Sequence, residues 1–153
     1  MRRLLFVCTG NLCRSPVAES IFNALAQERG LEWRAESAGL AAIDGSPVPE
    51  NVEISLEEVG FYAGGHRARK ARGRMVAPVD LVLAMTPQQR EKLRVLSGIK
   101  AEGKLYTLPE YLGEGENGEV PDPYGYPLQT HRASVRRIYE YMDRLVEHLQ
   151  KQS

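Results

Sequence analysis

Two residues near the start of the chain have the types and the spacing for phosphoryl chemistry. Cys8 and Arg14 form a C-x5-R pattern, with Gly10 between them and Ser15 and Pro16 directly after. A cysteine thiolate can attack phosphorus, and a guanidinium can donate two hydrogen bonds to the oxygens of a phosphate group. The pattern has no lysine of the Walker type, so nucleotide hydrolysis is not favoured. It predicts a phosphate site with a cysteine nucleophile.

The elements around this pattern predict how it is held. The apolar residues 4–7 read as a buried strand, and the polar turn after them leads into a helix. Backbone N–H groups of a tight loop at a helix N-terminus form a nest for an oxyanion, and their positive field favours the thiolate of Cys8. A cysteine at a strand end is also a common small buried residue, which is the alternative. The expected phosphate-binding residues are Thr9, Gly10, Asn11, Leu12, Cys13, Arg14 and Ser15.

A proton donor is needed as well, because an aryl oxide leaves from phosphorus more easily when it is protonated. Asp122 is the candidate, since Pro123 restricts the backbone beside it and Tyr124 supplies an aromatic wall for a planar substrate. Taken alone, an Asp-Pro pair is an ordinary turn signal.

Three motifs together resemble a known family. They are V-C-T-G-N-L-C-R-S-P at residues 7–16, D-L-V-L-A-M at residues 80–85 and D-P-Y-G at residues 122–125. In this order they are similar to the low-molecular-weight protein tyrosine phosphatases, including the bacterial protein arginine phosphatases. The resemblance implies two steps without metal or organic cofactor: Cys8 attacks phosphorus while Asp122 protonates the leaving group, and water then hydrolyses the phosphocysteine with Asp122 as base. Arg14 would hold the phosphoryl oxygens throughout.

The resemblance also assigns supporting roles. It implies that Ser15 donates a hydrogen bond to the sulfur of Cys8, and that His66 bonds Asn11 and fixes the loop. It further implies that Cys13 can trap oxidised Cys8 as a disulfide. From the residues alone, His66 would be an ordinary surface histidine, and Cys13 could equally be a small buried residue.

Substrate choice depends on Leu12. By resemblance this residue lies in the pocket wall, where tyrosine phosphatases carry an apolar branched residue and arginine phosphatases carry a threonine. An apolar wall favours an aromatic ring and leaves guanidinium N–H groups unsatisfied, so phosphotyrosine is the favoured substrate. Thr9 and the D-L-V-L-A-M-T segment look closer to the arginine branch, and a protein arginine phosphatase is therefore the alternative.

Composition sets the broad class. The chain has 153 residues and equal numbers of acidic and basic residues, so we expect one domain over residues 1–153, with no field that favours nucleic acid or membrane. The apolar run at residues 4–7, which follows Met1-Arg2-Arg3, is too short for an export signal. Two cysteines in one loop are no disulfide framework, which predicts a reducing cytoplasm. The expected partners are phosphorylated proteins, with inorganic phosphate as product.

Strands and helices alternate along the chain. Strands are expected at residues 4–7, 31–38, 79–85 and 104–107. Helices are expected at residues 49–59, from Pro87 up to Gly98, and from Pro127 or Leu128 to Leu149. Another helix follows the first strand, with Ser15 as its N-cap. Residues 110–122 read as an exposed, mobile loop. We therefore expect an α/β fold with three layers, in which helices flank a four-stranded parallel sheet and the phosphate-binding loop follows the first strand.

Three rival functions are weaker. Arsenate reductases share the loop but relay a disulfide through further cysteines, and none follows Cys13. A non-catalytic phosphate-binding module is disfavoured because Cys8, Arg14 and Asp122 are all retained. Nucleic-acid binding could rest only on Arg67 to Arg74. We interpret the basic run that contains them, residues 65–74, as a solvated face rather than as a docking patch for acidic proteins.

Overall fold

The computed structural model describes residues 1–152 and contains a parallel sheet with β1 near its centre. The sheet order is β2-β1-β3-β4, and each neighbouring pair is parallel. This arrangement confirms the predicted α/β fold with a four-stranded parallel sheet. The strands are β1 (Arg2–Cys8), β2 (Trp33–Gly39), β3 (Leu81–Ala84) and β4 (Leu105–Thr107).

Helices cover both faces of this sheet, because successive side chains of β1 point to opposite faces. The helices are α1 (Arg14–Glu28), α2 (Glu50–Glu57), α3 (Pro87–Ser97), α4 (Leu108–Tyr111) and α5 (Leu128–Lys151). Leu4 and Phe6 join a core cluster with residues of α1 and α5, whereas Leu5 and Val7 join a second cluster that includes Leu93 of α3. The result is the predicted three layers.

The register of the sheet brings three strand ends together. Cys8 is the last residue of β1 and pairs with Gly39 of β2, while Val7 pairs with Ala84 of β3. In open α/β sheets ligands bind outside the carboxyl ends of the strands, and residues after each strand therefore converge on one edge. The loop from Cys8 to Arg14 lies at this edge.

Several element boundaries differ from the predictions. The second helix is shorter at both ends than residues 49–59, and the second strand begins at Trp33 rather than at residue 31. The predicted loop over residues 110–122 begins inside α4, because Thr107 and Glu110 form a capping box there. That loop is also not exposed throughout, since Val120 is buried and its N–H donates to the carbonyl of Met85 (2.8 Å). The segment is anchored by its own apolar residue.

The basic run at residues 65–74 is not simply a solvated face, which corrects the interpretation from sequence. Ala68 and Ala71 within it are buried. Arg69 donates from Nε to the carbonyl of Ser37 (2.9 Å) and from Nη2 to Glu36 (2.8 Å). The small residues between the arginines allow the backbone to lie against the sheet edge, so part of the run is a structural support.

None of the helices within residues 1–152 is both long and apolar enough to cross a membrane.

Candidate active site

The loop after β1 is shaped by one residue in the left-handed region. Asn11 has φ of 56°, the only positive φ at a non-glycine position in residues 1–152. Asparagine tolerates this conformation better than most residues. Its backbone N–H then points inward and lies 3.2 Å from the sulfur of Cys8. The loop thus presents an amide to the thiol at the end of the strand.

The side chain of Asn11 ties this loop to the rest of the fold. Its Oδ1 accepts a hydrogen bond from the backbone N–H of Arg69 (3.0 Å), which identifies the other terminal atom as the donor. Nδ2 donates to Ser15 Oγ and to Ser37 Oγ, both at 2.9 Å. Ser37 in turn donates to Glu19 (2.6 Å). Each polar group of the buried amide is therefore used, which rigidifies the loop.

His66 contacts the same loop from the segment after α2. Its Nε2 lies 3.0 Å from the backbone carbonyl oxygen of Asn11. Because a carbonyl only accepts, this contact requires the hydrogen on Nε2. The imidazole therefore holds the backbone of Asn11 while the amide network holds its side chain.

Ser15 directs its hydroxyl at the sulfur of Cys8. The two atoms are 2.9 Å apart, and Ser15 already accepts a hydrogen bond from Asn11. Its own hydrogen is then available for the sulfur. Ser15 is not the N-cap that the sequence predicted, because α1 begins at Arg14 and Cys13 holds the cap position without a side-chain bond. The Ser15 hydroxyl therefore forms a hydrogen bond with the sulfur of Cys8 and does not cap the helix.

Arg14 is buried and only partly satisfied. Its Nη1 donates to the carbonyl of Val120 (3.1 Å), and its Nη2 lies 3.5 Å from Asp122 Oδ2. Its Nε is buried and has no hydrogen-bond partner among residues 1–152. A buried donor without a partner is costly, and a charged donor more so. The guanidinium is therefore positioned to bind an anion, to which its free N–H group can donate a hydrogen bond.

Asp122 lies opposite the loop, on the chain between α4 and α5. Its side chain is 48% exposed, and its Oδ1 accepts a hydrogen bond from the backbone N–H of Tyr124 (3.0 Å). This local turn directs the carboxylate toward the pocket while Pro123 is buried behind it. A half-exposed carboxylate in this position can exchange protons with a bound molecule or with water.

These groups surround one pocket of about 220 Å³. Asn11 and Ser15 are buried behind its wall, and His66 lies outside it. The structure thus brings together in one cavity the residues that sequence reasoning had placed in separate motifs. The pocket is lined by Cys8, Thr9, Gly10, Leu12, Cys13, Arg14, Asp122 and Tyr124.

The two cysteines of the loop differ in environment. Both thiols are free and buried. Burial raises the pKa of the Cys13 thiol to about 12, and the negative charge of Asp122 adds to this effect. A thiol with such a pKa stays protonated at neutral pH and is a poor nucleophile.

Binding of a metal ion would depend on the arrangement of ligating side chains. Across the described part of the chain, no group of three or more His, Cys, Asp or Glu side chains is arranged to hold a metal ion. The charged partner available to a phosphate in this pocket is Arg14.

Sequence reasoning missed several residues that build the site. Gln89 on α3 is buried and donates from Nε2 to Thr9 Oγ1 (3.0 Å). Val120 supplies a carbonyl to Arg14, and Ser37 bonds Asn11. The residues at the start of α3 form a capping box, which places Gln89 at the third helical position. The capping box does not show that the side-chain amide of Gln89 reaches Thr9 in the loop after β1, because that contact depends on the order of the strands in the sheet.

The chain matches a family model along nearly its whole length. The model describes low molecular weight phosphotyrosine protein phosphatases and matches residues 3–153. A relative from Bacillus subtilis (strain 168), named protein-arginine-phosphatase, is 34% identical over 149 residues and covers 97% of both chains. Another from the same organism, low molecular weight protein-tyrosine-phosphatase YfkJ, is 36% identical over 127 residues, with 81% of each chain covered.

A solved structure gives the same picture in three dimensions. The YwlE arginine phosphatase, as a cysteine-to-serine mutant with a phosphorylated active site serine, superposes with a TM-score of 0.92. It is 30% identical, and the match covers 97% of this chain and 96% of that chain.

Proposed function

Because the chain belongs to the low molecular weight phosphotyrosine protein phosphatase family, we propose that it hydrolyses phosphotyrosine in proteins through a phosphocysteine formed on Cys8. One observation carries this proposal. Cys8 lines a pocket together with Arg14 and Asp122, and the hydroxyl of Ser15 lies 2.9 Å from its sulfur. Nucleophile, anion holder and proton donor therefore meet at one place.

The phosphoryl group is held by the loop amides and by Arg14. The unpartnered Nε and the Nη2 that faces Asp122 form the fork of donors that matches two phosphoryl oxygens. Because Arg14 is buried, its charge is weakly screened by solvent and remains strong where negative charge develops.

In the first step the Cys8 thiolate forms a bond to phosphorus. The bond from phosphorus to the tyrosyl oxygen breaks, and that oxygen takes a proton from Asp122. The loop N–H of Asn11 and the Ser15 hydroxyl both donate to the sulfur, which stabilises the thiolate before attack.

In the second step a water molecule attacks the phosphocysteine. Asp122, now a carboxylate, takes a proton from that water, and the bond from phosphorus to sulfur breaks with its electron pair returning to Cys8. The Ser15 hydroxyl supports the departing thiolate. The products are inorganic phosphate and the enzyme in its starting protonation state.

The phosphorylated serine in the YwlE mutant structure supports a covalent intermediate at the equivalent place. In that protein the serine that replaces the cysteine carries the phosphate. By this likeness we assign the corresponding role of phosphate acceptor to the Cys8 thiol.

Leu12 and Tyr124 support an aromatic substrate. Both line the pocket, and Tyr124 is 60% exposed at its rim. An apolar side chain and an aromatic face bind a phenyl ring well, and neither offers a strong acceptor to guanidinium N–H groups.

Protein arginine phosphatase activity is the second candidate. It is favoured by the 34% identity with the protein-arginine-phosphatase of Bacillus subtilis over 97% of the chain. The carboxylate of Asp122 at the pocket supplies an acceptor that the N–H groups of a guanidinium leaving group would need.

The test compares phosphate release from a phosphotyrosine peptide and a phosphoarginine peptide of matched sequence, with Cys8→Ser as the inactive control. Higher kcat/KM for phosphotyrosine is expected. Leu12→Thr should lower the ratio of the two kcat/KM values, because it replaces the apolar wall with a hydroxyl. A parent protein that prefers phosphoarginine would establish the second candidate instead. If the parent releases no more phosphate from either peptide than Cys8→Ser does, the proposal that this protein is a phosphatase is rejected.

We also place this activity in a reducing cytoplasm, acting on phosphorylated proteins. The nucleophile must be a free thiolate, and both thiols are free and lie in the loop that binds phosphate. The anchoring of Arg69 to Glu36 removes one of the cations that nucleic-acid binding would need.

A further inference from the structure

The side-chain amide of Gln89 has a fixed orientation. Its Oε1 accepts hydrogen bonds from the backbone N–H groups of Met85 and Thr86, both at 3.0 Å. Two N–H donors identify this atom as the carbonyl oxygen, so the NH2 group must face the other way. There it donates to Thr9 Oγ1 at 3.0 Å. Gln89 is only 4% exposed, and its rotamer is therefore held by packing as well.

This contact decides where the hydroxyl hydrogen of Thr9 points. Thr9 Oγ1 accepts from Gln89, so its own hydrogen is directed away from the amide. No side-chain or backbone acceptor within residues 1–152 takes that hydrogen. Thr9 is exposed, and it lines the same pocket as Cys8 and Arg14. The free hydrogen is therefore available to a molecule bound there.

We propose that the Thr9 hydroxyl donates a hydrogen bond to an oxygen of the bound phosphoryl group, and that Gln89 is the positioning residue that sets the direction of this donor. The inference rests on the proposed function, because it assumes that phosphate binds in this pocket. It adds one side-chain donor to the loop amides and Arg14. Gln89, which orients this donor, belongs to α3 and therefore lies on the face of the sheet opposite α1 and α5.

Two substitutions test separately the presence of the Thr9 hydroxyl and the orientation that Gln89 gives it. Thr9→Val removes the donor and keeps the shape of the side chain. Gln89→Glu keeps an oxygen for the N–H groups of Met85 and Thr86 but replaces the NH2 donor with a second acceptor. The Thr9 hydrogen would then turn toward the carboxylate and away from the pocket. Gln88→Glu is the matched control, because it adds the same charge at an exposed neighbouring position of α3.

The first readout is the dissociation constant for inorganic phosphate, measured by calorimetry. It does not depend on turnover, so it stays informative if the parent proves to be inactive. A hydrogen bond to a charged acceptor predicts a Kd about tenfold higher for Thr9→Val. Gln89→Glu should weaken binding by at least the same factor, and Gln88→Glu should match the parent. An unchanged Kd for Thr9→Val overturns the inference.

The second readout is a double-variant cycle in kcat/KM on 4-nitrophenyl phosphate. If Gln89 acts through Thr9, Gln89→Glu has a much smaller effect in the Thr9→Val background than in the parent. If Gln89 only supports the fold, Gln89→Glu lowers kcat/KM by the same factor in both backgrounds, and the positioning role of Gln89 is rejected.

Should Gln89→Glu fail to fold in a thermal melt, the calorimetric result for Thr9→Val decides the inference. Failure of the proposed function is recognised separately, as a parent protein that binds phosphate without hydrolysing any ester.

Discussion

Arg14 and Asp122 face each other across the pocket, with Nη2 of the arginine 3.5 Å from Oδ2 of the aspartate. The arginine side chain is 5% exposed and the aspartate side chain 48%. A phosphoryl group in the pocket competes for the guanidinium donors that now face the carboxylate. We infer that substrate binding frees Asp122 to turn toward the leaving oxygen, so that anion binding and proton donation are linked by this one pair.

Asp122→Asn should lower kcat on a phosphotyrosine peptide by about 10²- to 10⁴-fold, the usual contribution of a general acid. The loss should be smaller on 4-nitrophenyl phosphate, because its leaving group needs less protonation. Steady-state kinetics on both substrates measure the difference. Glu119→Gln is the matched control, since it removes a negative charge from the same loop at an exposed position. Equal losses on the two substrates would argue against proton donation by Asp122.

Ser15→Ala should slow hydrolysis of the phosphocysteine, because the departing thiolate loses the hydroxyl 2.9 Å away. The expected decrease in kcat is about 10- to 100-fold, the range for a hydrogen bond to a charged group. Rapid-quench measurements should show a burst of the released alcohol followed by slow turnover. A variant with parental kcat and no burst would contradict the role of Ser15.

Alkylation should distinguish the two thiols. Burial raises the pKa of Cys13 to about 12, so the thiolate of Cys13 is scarce at neutral pH. Iodoacetamide at mildly alkaline pH should label Cys8 and spare Cys13 in the folded protein, as measured by peptide mass spectrometry. Cys8→Ser should remain almost unlabelled, and rapid labelling of Cys13 there would contradict the prediction.

The same shift gives a pH dependence of stability. The folded state raises the thiol pKa of Cys13 from 9.0 to about 12, so the unfolded chain loses its proton first as pH rises. The stabilising contribution of the neutral thiol is therefore complete below pH 9.0 and declines between pH 9.0 and about 12. Cys13→Ala should flatten this decline in denaturant titrations. An identical decline in the variant would assign it to other groups.

Gly39→Ala should disrupt the phosphate-binding loop. A Cβ at this position would lie 2.7 Å from the backbone nitrogen of Asn11 and from the carbonyl oxygen of Thr9. Neither backbone atom can move without distorting the loop, and the free energy of unfolding should fall by about 1 to 3 kcal/mol. Thermal melts and phosphate affinity measure the effect. Gly65→Ala is the control, because its Cβ meets no atom within 4 Å. Equal melting temperatures would contradict the clash.

The sequence alone identified what is encoded locally. The strand before Cys8, the spacing to Arg14 and the turn at Asp122 each depend on residues close in the chain. Hydrophobic periodicity then predicted the alternation of strands and helices, and that alternation predicted a parallel sheet with crossover connections. Cys8 as nucleophile and Arg14 as phosphate ligand could therefore be predicted from these patterns, whereas the general-acid role of Asp122 came from the family resemblance, because an Asp-Pro pair alone is a turn signal.

Only the tertiary structure decided which distant residues support that chemistry. Ser37 bonds Asn11, Gln89 bonds Thr9, and Val120 bonds Arg14, although the last pair is separated by 106 positions. None of these contacts has a local signal, because a serine in a strand or a glutamine in a helix has many ordinary roles. They form because the order β2-β1-β3-β4 gathers the carboxyl ends of parallel strands at one edge. The buried donors and acceptors at that edge must then find partners across the fold.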